Sequence, residues 1–300
     1  MLNIAFHPKY QLQLPAKHRF PMEKYDLLPK QLMHDGTCIQ EDFFVPKAID
    51  LSIIERIHKT EYIQKLLTLN LSKSEARKIG FPLSKELIER EIIIAGGTIQ
   101  GSIKAFETGV AMNIAGGTHH AFKGHGEAFC LLNDQAIAAQ YLLDKKLANQ
   151  ILIIDLDVHQ GNGTAEIFQS NPNVFTFSMH GQKNYPFHKE QSDLDIALQD
   201  NCSDEDFLRI LKKTLPDLIV KTKPDFIFYL CGVDVLETDK LGRLGLTIAG
   251  CKERDIYVLG LCKKNNIPVQ CSMGGGYSTK IKVIVEAHAN TFHAAKHIFD

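Results

Sequence analysis

Residues 150–166 read QILIIDLDVHQGNGTAE, and the reading of this stretch decides the fold. Its first part, 150–155, is a nearly continuous apolar run rich in isoleucine. A strand wet on one face alternates apolar and polar residues, whereas a strand covered on both faces of a parallel sheet does not. Its second part turns at once to Asp, His and Gly. Ligands of parallel α/β sheets bind beyond the carboxyl ends of the strands. The stretch therefore predicts an interior strand that delivers Asp155, Asp157 and His159 to a site.

Working outward, similar short runs predict strands at 2–6, 111–114, 174–178, 226–231 and 269–272. Longer amphipathic stretches predict helices at about 85–108, 134–146, 203–221, 247–265 and 278–298. Ser203 followed by Asp206 marks a helix start with acids in the first turn. No linker, repeat or low-complexity segment interrupts the pattern. The expectation is an α/β fold: one domain over residues 1–300, with a central, mostly parallel sheet flanked by helices.

The chain has 300 residues, 44% hydrophobic and 23% charged, which excludes intrinsic disorder. Thirty-four Lys and Arg against 35 Asp and Glu leave a net charge of −1, which argues against whole-protein binding to nucleic acid or a membrane surface. No apolar stretch is long enough to span a bilayer, and MLNIAFHPKYQ lacks the features of a signal peptide. The seven cysteines are odd in number and never spaced as Cys-x-x-Cys. Reduced thiols and a cytoplasmic location are expected.

Four loops after predicted strands share one character: GGTHHAFKGHGEAFCLLND (116–134), DLDVHQGNGTAE (155–166), CGVDVLETD (231–239) and MGGGY (273–277). Residues two apart in an extended segment share a face. Asp157 and His159 can thus offer an oxygen and a nitrogen to one ion, with Asp234 as a second carboxylate. Such a set leaves a coordination position open, as a catalytic divalent site requires. The bland alternative is that the aspartates only cap loops. His119 and His120 suggest a proton-transfer pair, with Asp155 and Asn162 as partners for the far ring nitrogens. Tyr277, after three glycines, can donate its phenol to an oxyanion; otherwise MGGGY is a plain turn. His288, His293 and His297 lie on the last helix without the Glu of a His-Glu-x-x-His site, and read as ordinary helix residues.

Taken in order, GGTHHA, GEAFCLLND, DLDVHQGNGTAE, FSMH, CGVD-x-x-x-x-D and GGGY resemble the zinc-dependent histone deacetylase family. The resemblance runs over residues 4–298. HQGNG and Leu241 look most like the class IV branch and its bacterial relatives. The resemblance implies an arginase-like α/β domain and hydrolysis of the amide of an Nε-acyl-lysine in a peptide or protein. It implies Zn²⁺ on Asp157, His159 and Asp234, with Fe²⁺ able to use the same ligands. His120 would be the general base and then the acid, and His119 with Asp155 would orient and stabilise charge. Tyr277 would polarise the acyl carbonyl. Phe129 would form one tunnel wall and Phe187 or Tyr185 the other, with Gly275, Gly276 and Leu241 along the substrate. A structural K⁺ would use backbone oxygens of Asp155, Asp157, His159 and Met179 together with Ser178. Arg19 would stand at an internal exit channel. Asn162 departs from the Asp that many members carry: a neutral amide orients His120 without stabilising its imidazolium.

Three rival readings use the same residues. One is an amidohydrolase of small acylated amines such as acetylpolyamines, with Glu190, Asp193 or Asp195 attracting the polycation. Another is a binuclear manganese enzyme, which needs more carboxylates than these loops hold. The last is a non-catalytic acyl-group sensor.

Overall fold

The computed structural model describes residues 2–300. Eight strands form one sheet: β1 (Asn3–Ala5), β2 (Phe43–Phe44), β3 (Val110–Asn113), β4 (Ile151–Asp155), β5 (Val174–Gly181), β6 (Leu194–Leu198), β7 (Phe226–Leu230) and β8 (Val269–Ser272). Their order is β2-β1-β3-β8-β7-β4-β5-β6, and every pairing is parallel. The four middle strands β3, β8, β7 and β4 are buried along their whole length. That is why they read as apolar runs. The edge strand β6 alternates half-buried and exposed residues instead, and only its last residue is buried.

Among the described residues ten α-helices surround the sheet: α1 (Lys24–His34), α2 (Leu51–Ile54), α3 (Thr60–Leu67), α4 (Lys73–Ile79), α5 (Lys85–Thr108), α6 (Asp134–Asp144), α7 (Asn162–Phe168), α8 (Asp204–Thr222), α9 (Ile248–Lys264) and α10 (Ile281–Phe299). The long α5 packs on β1, β3 and β8. The Ser84 side chain accepts from the Leu87 amide at its start, and Gly109, with φ +82°, stops it. The α8 start is as the sequence predicts: the Ser203 side chain accepts from the Asp206 amide, over three first-turn acids. Among the described residues no helix is long and apolar enough to cross a membrane.

This topology positions the site. The four Gly-, His- and Asp-rich loops follow β3, β4, β7 and β8, which are the four adjacent middle strands. Segments far apart in sequence thus end side by side on one rim.

Candidate active site

Each loop is tied down by a buried polar group. Asp134, at the start of α6, holds the loop after β3. One of its carboxylate oxygens accepts from the Gly117 and Thr118 amides at 2.8 and 2.9 Å, and the other from Thr98 and Ser272 hydroxyls at 2.6 and 3.1 Å. Arg254, fully buried on α9, braces the loops after β4 and β7 from behind. Its guanidinium donates to the carbonyls of Leu156 (3.1 Å), Gly232 (2.7 Å) and Cys231 (3.3 Å). Asp255 balances that charge at 2.8 Å and accepts in turn from Tyr229 and Thr291 hydroxyls. Lys24, also fully buried, donates from Nζ to the Gly274 carbonyl at 3.1 Å. Its ammonium lies 5.6 Å from the centre of the Tyr277 ring. Burial lowers the Lys24 pKa to about 8, with the Asp234 and Asp157 charges opposing that shift.

Asp157, His159 and Asp234 converge. Their candidate ligand atoms all lie within 4.8 Å of one another, and all three residues are buried. His159 Nδ1 is 3.0 Å from Asp157 Oδ1 and 3.1 Å from Asp234 Oδ2. The other carboxylate oxygens are fixed by backbone: Gly275 N–H donates to Asp157 Oδ2 and Val158 N–H to Asp234 Oδ1. A β-carbon at Gly275 would lie 1.9 Å from Asp234 Oδ2, so no larger residue fits there. Burial and the Asp157 charge raise Asp234 to about 7. Burial opposes charge on His159, yet its bonds to Asp157 and Asp234 hold the imidazole up at about 10. Both shifts describe a buried excess of negative charge that takes up positive charge. Two carboxylates and an imidazole with an open side fit a divalent ion of the zinc type.

The two histidines stand beside this set, ring centres 4.1 Å apart. His119 Nδ1 is 2.7 Å from Asp155 Oδ2, and His120 Nδ1 is 2.6 Å from Asn162 Oδ1. Both acceptors fix the proton on Nδ1 and leave Nε2 free. Burial lowers the His119 pKa but the Asp155 carboxylate overrides it, so the net shift is upward. Burial and the neighbouring His119 and His159 charges push His120 well down. Tyr277 is buried with its backbone N–H on Asp239 Oδ2 at 2.6 Å. Burial pushes its phenol pKa well up, so it remains a proton donor.

Of these groups, Asp157, His159, His119, His120 and Tyr277 open onto a cavity of about 700 Å³ that also meets Phe129, Leu241 and Gly275. Phe129 packs among Phe20, Phe81 and Tyr277, at 5.1, 5.2 and 6.0 Å between ring centres. Ala128 and Phe129 both adopt left-handed backbone, at φ +43° and +68°. Their amides donate to the carbonyls of Lys78 and Ile79. Gly276 turns away from the cavity toward Val233 and His288.

Phe187 and Tyr185, the two expected alternatives for the second wall, both line the cavity, whereas the inner position expected of Arg19 is corrected. Phe187 is 84% exposed and stands on the rim. Tyr185 is half-buried beside the histidine pair, its ring 5.0 Å from that of His120. Arg19 is exposed at the mouth, its guanidinium 4.9 Å from the Phe129 ring centre. The guanidinium on the inner side belongs to Arg90, which is buried and paired with Glu91. Of the residues expected to hold K⁺, Asp155 at the end of β4 and Ser178 within β5 are register partners. The histidines of α10 do not converge. His293 pairs with Asp35 at 3.1 Å, His297 is exposed, and His288 is buried without a hydrogen-bond partner for either ring nitrogen.

Asp134, Arg254, Lys24 and Arg90 were not singled out by the sequence. Asp134 was foreshadowed only as the last letter of GEAFCLLND, and the others read as ordinary charged helix or loop residues.

Comparison with known proteins agrees with this geometry. The family profile described as the histone deacetylase domain matches residues 18–292. An uncharacterized Picosynechococcus protein is 43% identical over 296 residues, covering 99% of both chains. Histone deacetylase 2 of Arabidopsis thaliana is 27% identical, over 96% of this chain and 78% of its own. The acetoin utilization protein AcuC of Staphylococcus aureus is 28% identical, over 94% and 78%. Among solved structures, the crystal structure of the HDA15 HD domain superposes with a TM-score of 0.82 at 19% identity, over 99% of this chain and 88% of that one.

Proposed function

This chain belongs to the histone deacetylase family, and from that premise we propose that it hydrolyses the amide bond of Nε-acyl-lysine in peptides or proteins. The single observation that carries the reading is the convergence of a buried Asp-His-Asp set, a histidine pair with free Nε2 atoms and a buried phenol on one cavity. HQGNG, with Asn162 as the His120 partner, supports the class IV branch within the family. One continuous sheet from β1 to β8 supports one catalytic domain over residues 1–300. Seven free cysteines, six of them buried, support a cytoplasmic location.

A divalent ion on Asp157, His159 and Asp234, Zn²⁺ or Fe²⁺, supplies an acidified water and polarises the acyl oxygen when bound. A K⁺ beside Asp155 and Ser178 would hold the loop that carries Asp157. His120 Nε2 accepts the proton of the attacking water. Its depressed pKa keeps it neutral and ready to do so at pH 7. His119, oriented by Asp155, stands beside His120, and the carboxylate behind it favours positive charge building up next to the developing oxyanion. Tyr277 donates a hydrogen bond from its phenol to that oxyanion and keeps its proton. His120 then returns its proton to the departing lysine amine. Phe129 and Tyr185 flank the acyl-lysine stem and exclude water, while Gly275 and Leu241 line its path.

The test is release of free amine by the purified, zinc-loaded protein from one lysine peptide bearing acetyl, butyryl, octanoyl or myristoyl groups, with acetylated spermidine beside them. Turnover of any peptide supports the reading, and its rank order sets the acyl length. Turnover of spermidine alone moves the function to small amines. Silence across the panel with zinc bound favours a sensor.

A further inference from the structure

The mouth of the cavity carries one sign of charge. Arg19, Lys78, Lys183, Lys240 and Arg243 all line it, against one carboxylate, Glu127. The cations are exposed, with 60% of the Lys78 side chain, 64% of Lys183 and 54% of Arg243 in solvent. Several are held in place rather than scattered. Arg19 rests on the Phe129 ring, and Arg243 donates twice to Asp200, with Lys183 3.6 Å from the same carboxylate.

Glu127 does not balance them. It already accepts from the Tyr185 hydroxyl, lies 3.2 Å from His125 Nε2 and is 3.7 Å from Lys78 Nζ. Asp200 is shared by two cations. Arg19 and Lys240 have no carboxylate partner among the described residues. The acids that would attract a polycation are engaged elsewhere. Asp193 accepts from the Thr176 amide and hydroxyl, and Asp195 from Gln160 and the Ser192 amide. Neither they nor Glu190 line the cavity.

We propose that this cationic collar selects substrates whose acyl-lysine is flanked by acidic residues, and disfavours basic tails and polyamines. Acylation removes the lysine's own charge, so the flanks dominate the electrostatics of approach. A collar of one sign around a low-dielectric cleft raises the encounter rate of the opposite sign and repels its own. The inference rests on the acyl-lysine reading but concerns only the mouth.

The zinc-loaded protein is assayed with three short peptides that differ only in flanks of Glu, Ser or Lys around one Nε-acetyl-lysine. Fluorescent versions are titrated in parallel by anisotropy. The expected kcat/KM ratio of Glu-flanked to Lys-flanked peptide is about tenfold at about 50 mM salt, shrinking to about twofold at about 500 mM. Arg19→Glu with Lys240→Glu should bring that ratio to one or below; being a ratio, it is insensitive to any general loss of activity. Turnover that ignores the flanks, or favours Lys, overturns the collar and leaves the deacylase reading standing. Tighter, salt-sensitive binding of the Glu peptide without turnover supports the collar and counts against the deacylase reading. Neither binding nor turnover, or binding blind to the flanks, overturns the collar.

Discussion

The floor and the mouth of the cavity are built on opposite plans. On the floor, Asp155, Asp157 and Asp234 are each satisfied by a named imidazole or amide, and all are nearly or wholly buried. Behind them the buried Arg254 cross-ties the loops of β4 and β7. At the mouth, Phe187 lies 84% in solvent and the cations reach outward on long side chains. Chemistry needs groups fixed to a fraction of an ångström, which only a packed, fully bonded setting provides. Selection by charge acts over about a Debye length and tolerates motion.

If that contrast is right, floor substitutions have large effects and mouth substitutions small ones. The largest effect is expected for Asp157→Ala, which should abolish stoichiometric zinc and measurable turnover while far-ultraviolet circular dichroism keeps the α/β signature. Retained zinc would break the assignment of the floor. Next, Tyr277→Phe should lower kcat by about 10²–10³ with little change in KM. An unchanged kcat would remove the phenol from the chemistry.

Arg254→Met tests the brace. It strands Asp255 as an unpaired buried charge, and denaturant unfolding should show a loss of about 3–5 kcal/mol. Zinc affinity should fall as well, since the carbonyls beside Asp157 and Asp234 lose their common donor. A variant with wild-type stability would mean that the two loops hold themselves.

Protonation offers a milder probe. His58 ties the loop after β3 to the fold, its Nδ1–H donating to the Phe122 carbonyl and its Nε2 accepting from the Asn133 amide. Burial lowers its pKa from 6.5 to about 4. The unfolded chain therefore takes up this proton first. The stabilisation is whole above about pH 6.5 and is lost as pH falls toward 4, by roughly 3 kcal/mol at most. His58→Asn should be less stable at neutral pH and flatter across that window. Equal slopes for the two proteins would contradict a buried neutral imidazole. The smallest effect belongs to Phe187→Ser, which should change kcat/KM by less than about twofold. A drop as large as that of Tyr277→Phe would erase the distinction between floor and mouth.

The same contrast explains what the sequence disclosed. Strands β4 and β7 are the most legible because burial on both faces leaves a nearly unbroken apolar run, ILIID and FIFYL, and the loops of the middle strands are legible because Gly, His and Asp crowd there. The edge strand β6 is not, since LDIAL between charged neighbours follows the solvent rather than the core. Helix α1 hides behind Pro29, which argues against a helix interior, and α7 begins in a GNG sequence that reads as a loop. Lys24 and Arg254 are invisible for another reason. A charged side chain reads as solvated until the fold shows which carbonyl it reaches. The mouth is the least legible part, because Arg19, Lys78, Lys183 and Lys240 come from separate segments and meet only in space.

The left-handed pair Ala128–Phe129 limits how this protein's bore can be tailored. A bulky residue at φ +68° is uncommon, and a β-branched one there is penalised further. Val or Ile at 129 would therefore change the backbone together with the tunnel diameter. Phe20 and Phe81 pack on the same ring and line the same cavity, at 5.1 and 5.2 Å, without positive φ of their own. Widening or narrowing the passage for longer or shorter acyl chains is better attempted at those two positions. Lineages or designers that retune chain length have more freedom there than in GEAFC itself.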